Sequence, residues 1–453
     1  MSQTPILTQP MLDREAELDR LQTLVESALA RARRAGATAV EIAANSSIGL
    51  SVSVRRGECE TLEHTQDRDV SVSVLMGRRK GHATSADLSL QSIDACVDKA
   101  IDIARFTQED PCNGLAEAEL MATQFPDLDI WHPVDLDVTG AIERARVCEA
   151  AGLEDARITN SEGASFDAGF GLGVYGNSHG FIGRSAGTRF SQSCVLIAGK
   201  DDRMQRDYSY DSRRSLQDVE PAELTGREAA RRTVSRLGAR QIKTGQMPVL
   251  LASEVARSLL GHLLGAISGT ALYRQASFLV NASGTTLFPD WAVLRERPYL
   301  LRGIASAAFD AEGVQTRERN IIEAGVLQGY ALSSYSARRL GLTTTANAGG
   351  VRNLLFEAGG SGNEDLLRTL GNGIYVTEVM GQGVSLVTGD YSRGASGFLV
   401  ENGEITHAVE EITIAGNLRE MFRGIAAAGP LIDTRGNIHV GEILLERMTI
   451  AGS

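Results

Sequence analysis

Apolar residues recur along the chain with two distinct periods. Leu18, Leu21, Val25, Ala28 and Ala32 stand three and four residues apart, with Arg and Glu between them. This spacing predicts a helix, and Gly36 ends it. A period of two follows. Val40–Ile42–Ala44, Leu50–Val52–Val54 and Val70–Val72–Val74 alternate with polar residues, as half-buried strands do. Gly57-Glu58 and Gly77-Arg78-Arg79-Lys80-Gly81 read as hairpin turns between them. Ile93, Val97, Ile101 and Ala104 form the buried stripe of a second helix. Residues 13–110 therefore predict a meander sheet with one face covered by two helices.

Residues 107–137 carry Pro111, Pro126, Pro133 and many acids, which marks a linker or a strapping loop. A middle α+β segment, 138–240, opens with a helix over 139–151 and closes with one over 222–236. Between them lies a Gly/Ser-rich strand region from Gly163 to Ala198. Gly169, Gly171, Gly173 and Gly176 invite comparison with a phosphate-binding loop. They alternate with apolar residues, however, and no Lys-Ser/Thr pair or helix start follows, so they read as strand glycines. From residue 241 to 453 frequent glycines predict short antiparallel strands in a barrel- or sandwich-like β-rich domain. Helices are inserted into it, the clearest at 252–268. The fold class is α+β.

With 453 residues, 43% of them hydrophobic, the chain can bury a core without disulfides. The five cysteines (Cys59, Cys96, Cys112, Cys148, Cys194) are odd in number, widely spaced and free of CxxC. They read as small buried hydrophobes. A net charge of −12 argues against nucleic acid or an anionic membrane as partner. No run of about 18 apolar residues occurs, so no transmembrane helix is expected. Met1 to Arg14 has no apolar stretch of signal-peptide length, so a cytoplasmic address is expected.

The histidines are His64, His82, His132, His179, His262, His407 and His439. A zinc peptidase helix needs two histidines on one face and a nearby Glu as base. The helix around His262 reads Ser258-Leu259-Leu260-Gly261-His262-Leu263-Leu264-Gly265-Ala266, with one His and no acid within a turn. A lone His on an apolar face is most simply structural, although a ligand or base role stays open. No Gly-x-Ser-x-Gly elbow stands between a strand and a helix. Gly360-Ser361-Gly362 and Ala395-Ser396-Gly397 read as turns. Asp390, in Thr388-Gly389-Asp390-Tyr391-Ser392-Arg393-Gly394, has no twin for an aspartic-protease pair. Its run reads either as a polar loop at a cleft or interface or as a tight turn.

Several ordered runs resemble the PmbA (TldE) branch of the TldD/PmbA family, also called the modulator of DNA gyrase family. They include Asn177-Ser178-His179-Gly180, Glu254-Val255-Ala256, Gly261-His262-Leu263, Pro289-Asp290-Trp291 and Phe309-Asp310-Ala311-Glu312-Gly313-Val314. Ser333 to Arg338, Val379 to Val384, Gly389 to Gly394 and Glu411 to Leu418 continue the series. The resemblance implies a two-subunit metallopeptidase. Its TldD-type subunit carries a His-Glu-x-x-x-His zinc helix and a cysteine ligand near its C-terminus. On this chain those helix positions fall at Gly261, His262 and Ala266, and no cysteine follows Cys194.

The expectation is a chain with no metal and no catalytic residue of its own, paired with a TldD-type zinc subunit that holds the zinc. Asp390, Tyr391 and Arg393 are expected at the cleft or interface, and a homodimer is expected when the chain is isolated. The implied substrates are unfolded or extended peptides, including a microcin-type precursor and labile antitoxin. The competing readings are an independent peptidase with an unrecognised site and a peptide-binding scaffold without enzymatic activity.

Overall fold

The computed structural model describes residues 13–135, 137–360 and 365–452. Ser361-Gly362 and the start of the chain, Met1 to Leu12, lie outside the described residues.

Helix α1 (Arg14–Arg34) starts at Asp13, whose side chain accepts the Ala16 N–H, and it buries Leu18, Leu21, Val25, Ala28, Leu29 and Ala32. Gly36 takes φ +93° just after it. Strands β1 (Ala39–Arg55), β2 (Glu58–Met76) and β3 (Arg79–Ser85) form the predicted meander, and α2 (Leu90–Phe106) covers it. Two expected strands, Val40–Ala44 and Leu50–Val54, are one. Ser46 and Ile48 are buried, so the alternation runs unbroken across the polar Asn45-Ser46-Ser47. The first turn holds Arg56 and Gly57, both at positive φ, as a two-residue hairpin demands. The second turn is only Gly77-Arg78, because Arg79 to Gly81 already pair with β2. Gly81 has a packing reason: a Cβ there would stand 1.9 Å from the Ala100 carbonyl oxygen of α2.

The segments 13–110 and 138–240 share one sheet. Helix α3 (Val138–Leu153) precedes β4 (Ile158–Asn177), β5 (Ile182–Ala198) and β6 (Gln205–Arg213), and α4 (Ala222–Ser235) follows. β1 pairs β4 from Glu41↔Asn177 to Val54↔Ala164, giving an antiparallel six-stranded sheet ordered β3-β2-β1-β4-β5-β6. Gly169, Gly171 and Gly173 lie inside β4, paired on both sides. The core beneath joins Val40, Ile42 and Val52 of β1 to Val25 of α1, Val97 of α2 and Phe166 of β4. The cysteines are all free. Cys96, Cys148 and Cys194 are buried, but Cys59 is exposed, in the half of β2 from Glu58 to Asp69 where every residue is exposed.

The proline-rich stretch is a strap. The Ala122 N–H donates to Gly313 O at 2.9 Å, the Thr188 N–H to Ile130 O at 2.9 Å, and the Arg302 N–H to Leu128 O at 2.9 Å. It thereby ties the six-stranded sheet to the C-terminal half.

That half is built on a closed five-stranded barrel. Its strands are β7 (Gly245–Leu251), β13 (Gly373–Met380), β14 (Asp390–Glu401), β15 (Glu404–Asn417) and β18 (Ile443–Ala451). β7 pairs parallel with β13 and antiparallel with β18, which closes the ring. The same half holds helices α5 (Ser253–Ala266), α6 (Gly269–Tyr273), α7 (Ser334–Leu340), α8 (Leu366–Leu370) and α9 (Leu418–Arg423). A second sheet holds β8 (Leu294–Glu296), β9 (Arg319–Glu323), β10 (Val326–Leu327), β11 (Leu354–Phe356) and β17 (Ile438–His439). β12 (Gly359–Gly360) and β16 (Ile425–Ala428) extend the barrel sheet beside β18.

The barrel strands are longer than their glycines imply. Ala395-Ser396-Gly397 is no turn: it lies inside β14, where the register shifts against β15. Gly397 is required by approach, since a Cβ would stand 2.0 Å from the Tyr375 carbonyl oxygen of β13. No helix among the described residues is long and apolar enough to cross a membrane.

Candidate functional site

Helix α5 leaves β7 after one residue and buries Val255, Ala256, Leu259, Leu260, Leu263 and Ala266 in the core that the barrel shares with the second sheet. The positions expected for zinc ligands lie along it. A Cβ added to Gly261 would meet nothing within 4 Å, so that position opens onto free space. Ala266 is fully buried. Between them stands His262, whose ring meets the Tyr391 ring edge-on at 6.0 Å between centroids. Its Nε2 is buried without a hydrogen-bond partner. Among the described residues no three His, Cys, Asp or Glu side chains are grouped to hold a metal. A glycine and an alanine at the two ligand positions, with one imidazole between them, do not fit a catalytic zinc, which takes three protein ligands.

The 380–394 run folds back on itself through backbone and meets this helix through side chains. The Ser392 N–H donates to Gly383 O at 2.6 Å. A Cβ on Gly383 would stand 1.9 Å from the Ser392 carbonyl oxygen, so only glycine allows the approach. Arg393 reaches the helix. Its Nη1 donates to Ser258 Oγ at 3.1 Å, Nη2 to Val379 O at 3.3 Å and Nε to Met380 O at 3.4 Å. Asp390 is exposed. It accepts from Thr388 Oγ1 at 2.7 Å and Asn417 Nδ2 at 3.4 Å, and it makes no ion pair with Arg393. The structure thus brings His262, Tyr391 and Arg393 together and leaves Asp390 at the rim.

Burial holds His262 below the ordinary histidine range, with the Arg393 charge adding to the effect. Burial pushes the Tyr391 hydroxyl up, against the opposing pull of Arg393. The ring at 262 is therefore neutral and aromatic in character. A depressed folded pKa means that this contribution to stability is present above the ordinary value of about 6.5 and is lost as pH falls below it. His262→Gln should accordingly flatten the stability loss between neutral and mildly acid pH in denaturant titrations. With a TldD-type zinc relative added, any cleavage of an unfolded peptide should stay within a few-fold of that seen with the unsubstituted chain. A loss on the order of 10³ would mean acid–base or electrostatic catalysis instead.

His132, His179 and His439 each contact a backbone carbonyl, of Asp129, Ala116 and Gly436 respectively. Ser396 is buried, between Arg236 and Glu378.

Sequence reasoning missed an ion network between the two halves. Glu254, in the first turn of α5, meets Arg232 at 2.9 Å and Arg435 at 3.0 Å. Asp433 holds Arg435 at 2.8 Å and also pairs Arg257. Asp207 meets Arg232 and Arg236, and Arg236 reaches Glu378 at 2.7 Å. Arg435 also lies over the Tyr210 ring at 4.4 Å. The only local signal was Asp433-Thr434-Arg435-Gly436, a polar turn like many others.

Three family models match the chain in order: PmbA/TldA metallopeptidase domain 1 over residues 40–104, the central domain over 131–237 and the C-terminal domain over 244–452. The metalloprotease PmbA of Escherichia coli O157:H7 is 47% identical over 97% of both chains. A PmbA homologue of Haemophilus influenzae is 45% identical, over 97% of this chain and 98% of that one. A metalloprotease TldD homologue of the same species is 27% identical over 45% of each chain. A crystal structure from Bacteroides thetaiotaomicron, described as a candidate modulator of DNA gyrase, superposes with a TM-score of 0.91. It covers 96% of this chain and 99% of its own, at 26% identity. Three domain matches in sequence and near-half identity across the whole length place the chain in the PmbA/TldD metallopeptidase family, on its PmbA branch.

Proposed function

We propose that this chain is the metal-free subunit of a two-subunit metallopeptidase, with the zinc held by a TldD-type partner, acting on unfolded or extended peptides in the cytoplasm. The observation that carries this reading is the set Gly261, His262 and Ala266: the two ligand positions of the zinc-helix pattern hold a glycine and an alanine, and the one imidazole stands where the pattern has its Glu base. A fold kept intact after its metal ligands are gone serves through contact. Beside the helix, Met380 and Val387 are exposed apolar side chains on the same glycine-rich run. Edge strand β3 leaves backbone groups for an extended peptide, whose recognition by strand addition reads backbone more than sequence. A microcin-type precursor or a labile antitoxin fits that description, and a homodimer through the same face fits the isolated chain.

The test mixes the chain with a TldD-type zinc relative and follows cleavage of an unfolded peptide. Cleavage by the mixture, with none by this chain alone, supports the proposal; cleavage by this chain alone overturns it. The partner surface has its own test. Arg393 is braced internally, so charge reversal there would disturb the subunit itself. Val387→Asp should weaken association by roughly tenfold or more, as a charge in an apolar contact does. The melting temperature of the isolated chain should not move. Unchanged association would place the partner elsewhere.

A further inference from the structure

A cavity of about 550 Å³ lies where the strap, the start of α1, strand β5 and the 306–311 loop converge. Leu18, Pro126, Trp131, Ala308 and Phe309 make its walls largely apolar. Its charged groups are mostly spoken for. Arg14 pairs Glu15 at 2.7 Å, and Arg184 pairs Asp19 at 2.6 Å. Asp310 is buried and takes three backbone N–H groups, from Glu312 at 2.9 Å, Val314 at 3.0 Å and Ala348 at 3.0 Å. Asp127 is exposed and accepts the Asp129 N–H at 2.9 Å.

Arg352 is different. No carboxylate among the described residues comes within ion-pair distance of its guanidinium. Its Nη2 has one long contact, to Ala348 O at 3.5 Å, and its Nε is buried without an acceptor. A guanidinium held beside apolar walls without an anion is costly, and a carboxylate matches its fork.

We propose that this cavity binds the free C-terminal carboxylate of a peptide ending in hydrophobic residues, with Arg352 holding the carboxylate and Trp131, Phe309 and Leu18 holding the last side chains. The volume suits one or two such residues. The proposal deepens the peptide reading above by naming the end of the peptide recognised, and it rests on that reading for the choice of a peptide over another carboxylate.

Calorimetric titration of the isolated full-length chain with acetyl-Leu-Phe, as free acid and as C-terminal amide, tests it. The acid should bind saturably and roughly tenfold or more tighter than the amide, the range of a charge-assisted hydrogen bond. Arg352→Gln should remove that preference, and Arg352→Lys should restore part of it. Equal affinity for acid and amide, or no saturable binding of either, overturns the proposal, and the wild-type comparison needs no variant to fold. A preference that survives Arg352→Gln in protein with an unchanged melting temperature overturns the role of Arg352. Because no zinc partner is present, failure here is distinct from failure of the two-subunit reading, which the cleavage assay decides.

Discussion

Arg435→Met should lower the unfolding free energy by about 3–5 kcal/mol, the cost of leaving a buried charge without its partner. Arg435 touches four groups. It pairs Asp433, whose side chain is 6% exposed, it pairs Glu254, it donates to the Tyr210 carbonyl at 2.9 Å, and it covers the Tyr210 ring. Methionine keeps much of the apolar stem and loses every donor. Arg257 and Arg232 still face the two carboxylates, which sets the lower end of the range. Asp433→Asn added to Arg435→Met should recover part of the loss, because the stranded charge is then gone.

The pH dependence follows from the same contacts. Burial alone would raise Asp433 and Glu254, but their arginine partners hold both below the ordinary carboxylate range. A depressed folded pKa means that their contribution is present above the ordinary value of about 4 and is lost as pH falls below it. The variant should therefore show a shallower acid limb. Urea titrations across pH, on both proteins, check magnitude and slope together. A loss under about 1 kcal/mol would show that the network does not hold the two halves together.

Asp310→Ala should cost about 3 kcal/mol or more. Three backbone N–H groups, two in the 312–314 turn and one at Ala348, then lose their acceptor at a site with 1% exposure. The damage spreads to the strap, which docks on this turn through Gly313 and Val314. Burial is the chief reason that the Asp310 carboxyl is pushed up to about 6 even with those bonds. The folded pKa is raised, so the proton-linked part of its stability is fullest below the ordinary value of about 4. That part is lost as pH rises through about 6. The variant should therefore lack this decline while being less stable at every pH. Limited proteolysis within 115–128, faster in Asp310→Ala, would show that the strap has loosened.

The parts legible in sequence were those set by local period. Helices at 14–34, 90–106, 138–153, 222–235 and 253–266 each carry an apolar stripe and a recognisable start or stop. The continuity of β1 was hidden, because Asn45-Ser46-Ser47 resembles a break unless Ser46 is known to be buried. The joining of residues 13–110 to 138–240 was hidden too, since β1 meets β4 across more than a hundred residues of chain. Barrel closure depends on β7 meeting β18 across an even longer interval. Glycines at 383 and 397 signalled close backbone approach and were open to reading as turns. At the site, Gly261, His262 and Ala266 stood out only against a family pattern, not by their own chemistry. Arg232, Glu254, Asp433 and Arg435 are scattered through the sequence, and only folding makes them one network.

Whether this chain holds a metal is decided by the zinc content of the purified, dialysed protein. With Gly261, His262 and Ala266 at the helix positions and no cysteine after Cys194, the expected result is well under one equivalent of zinc, unchanged by chelator. Stoichiometric, chelator-sensitive zinc would contradict it.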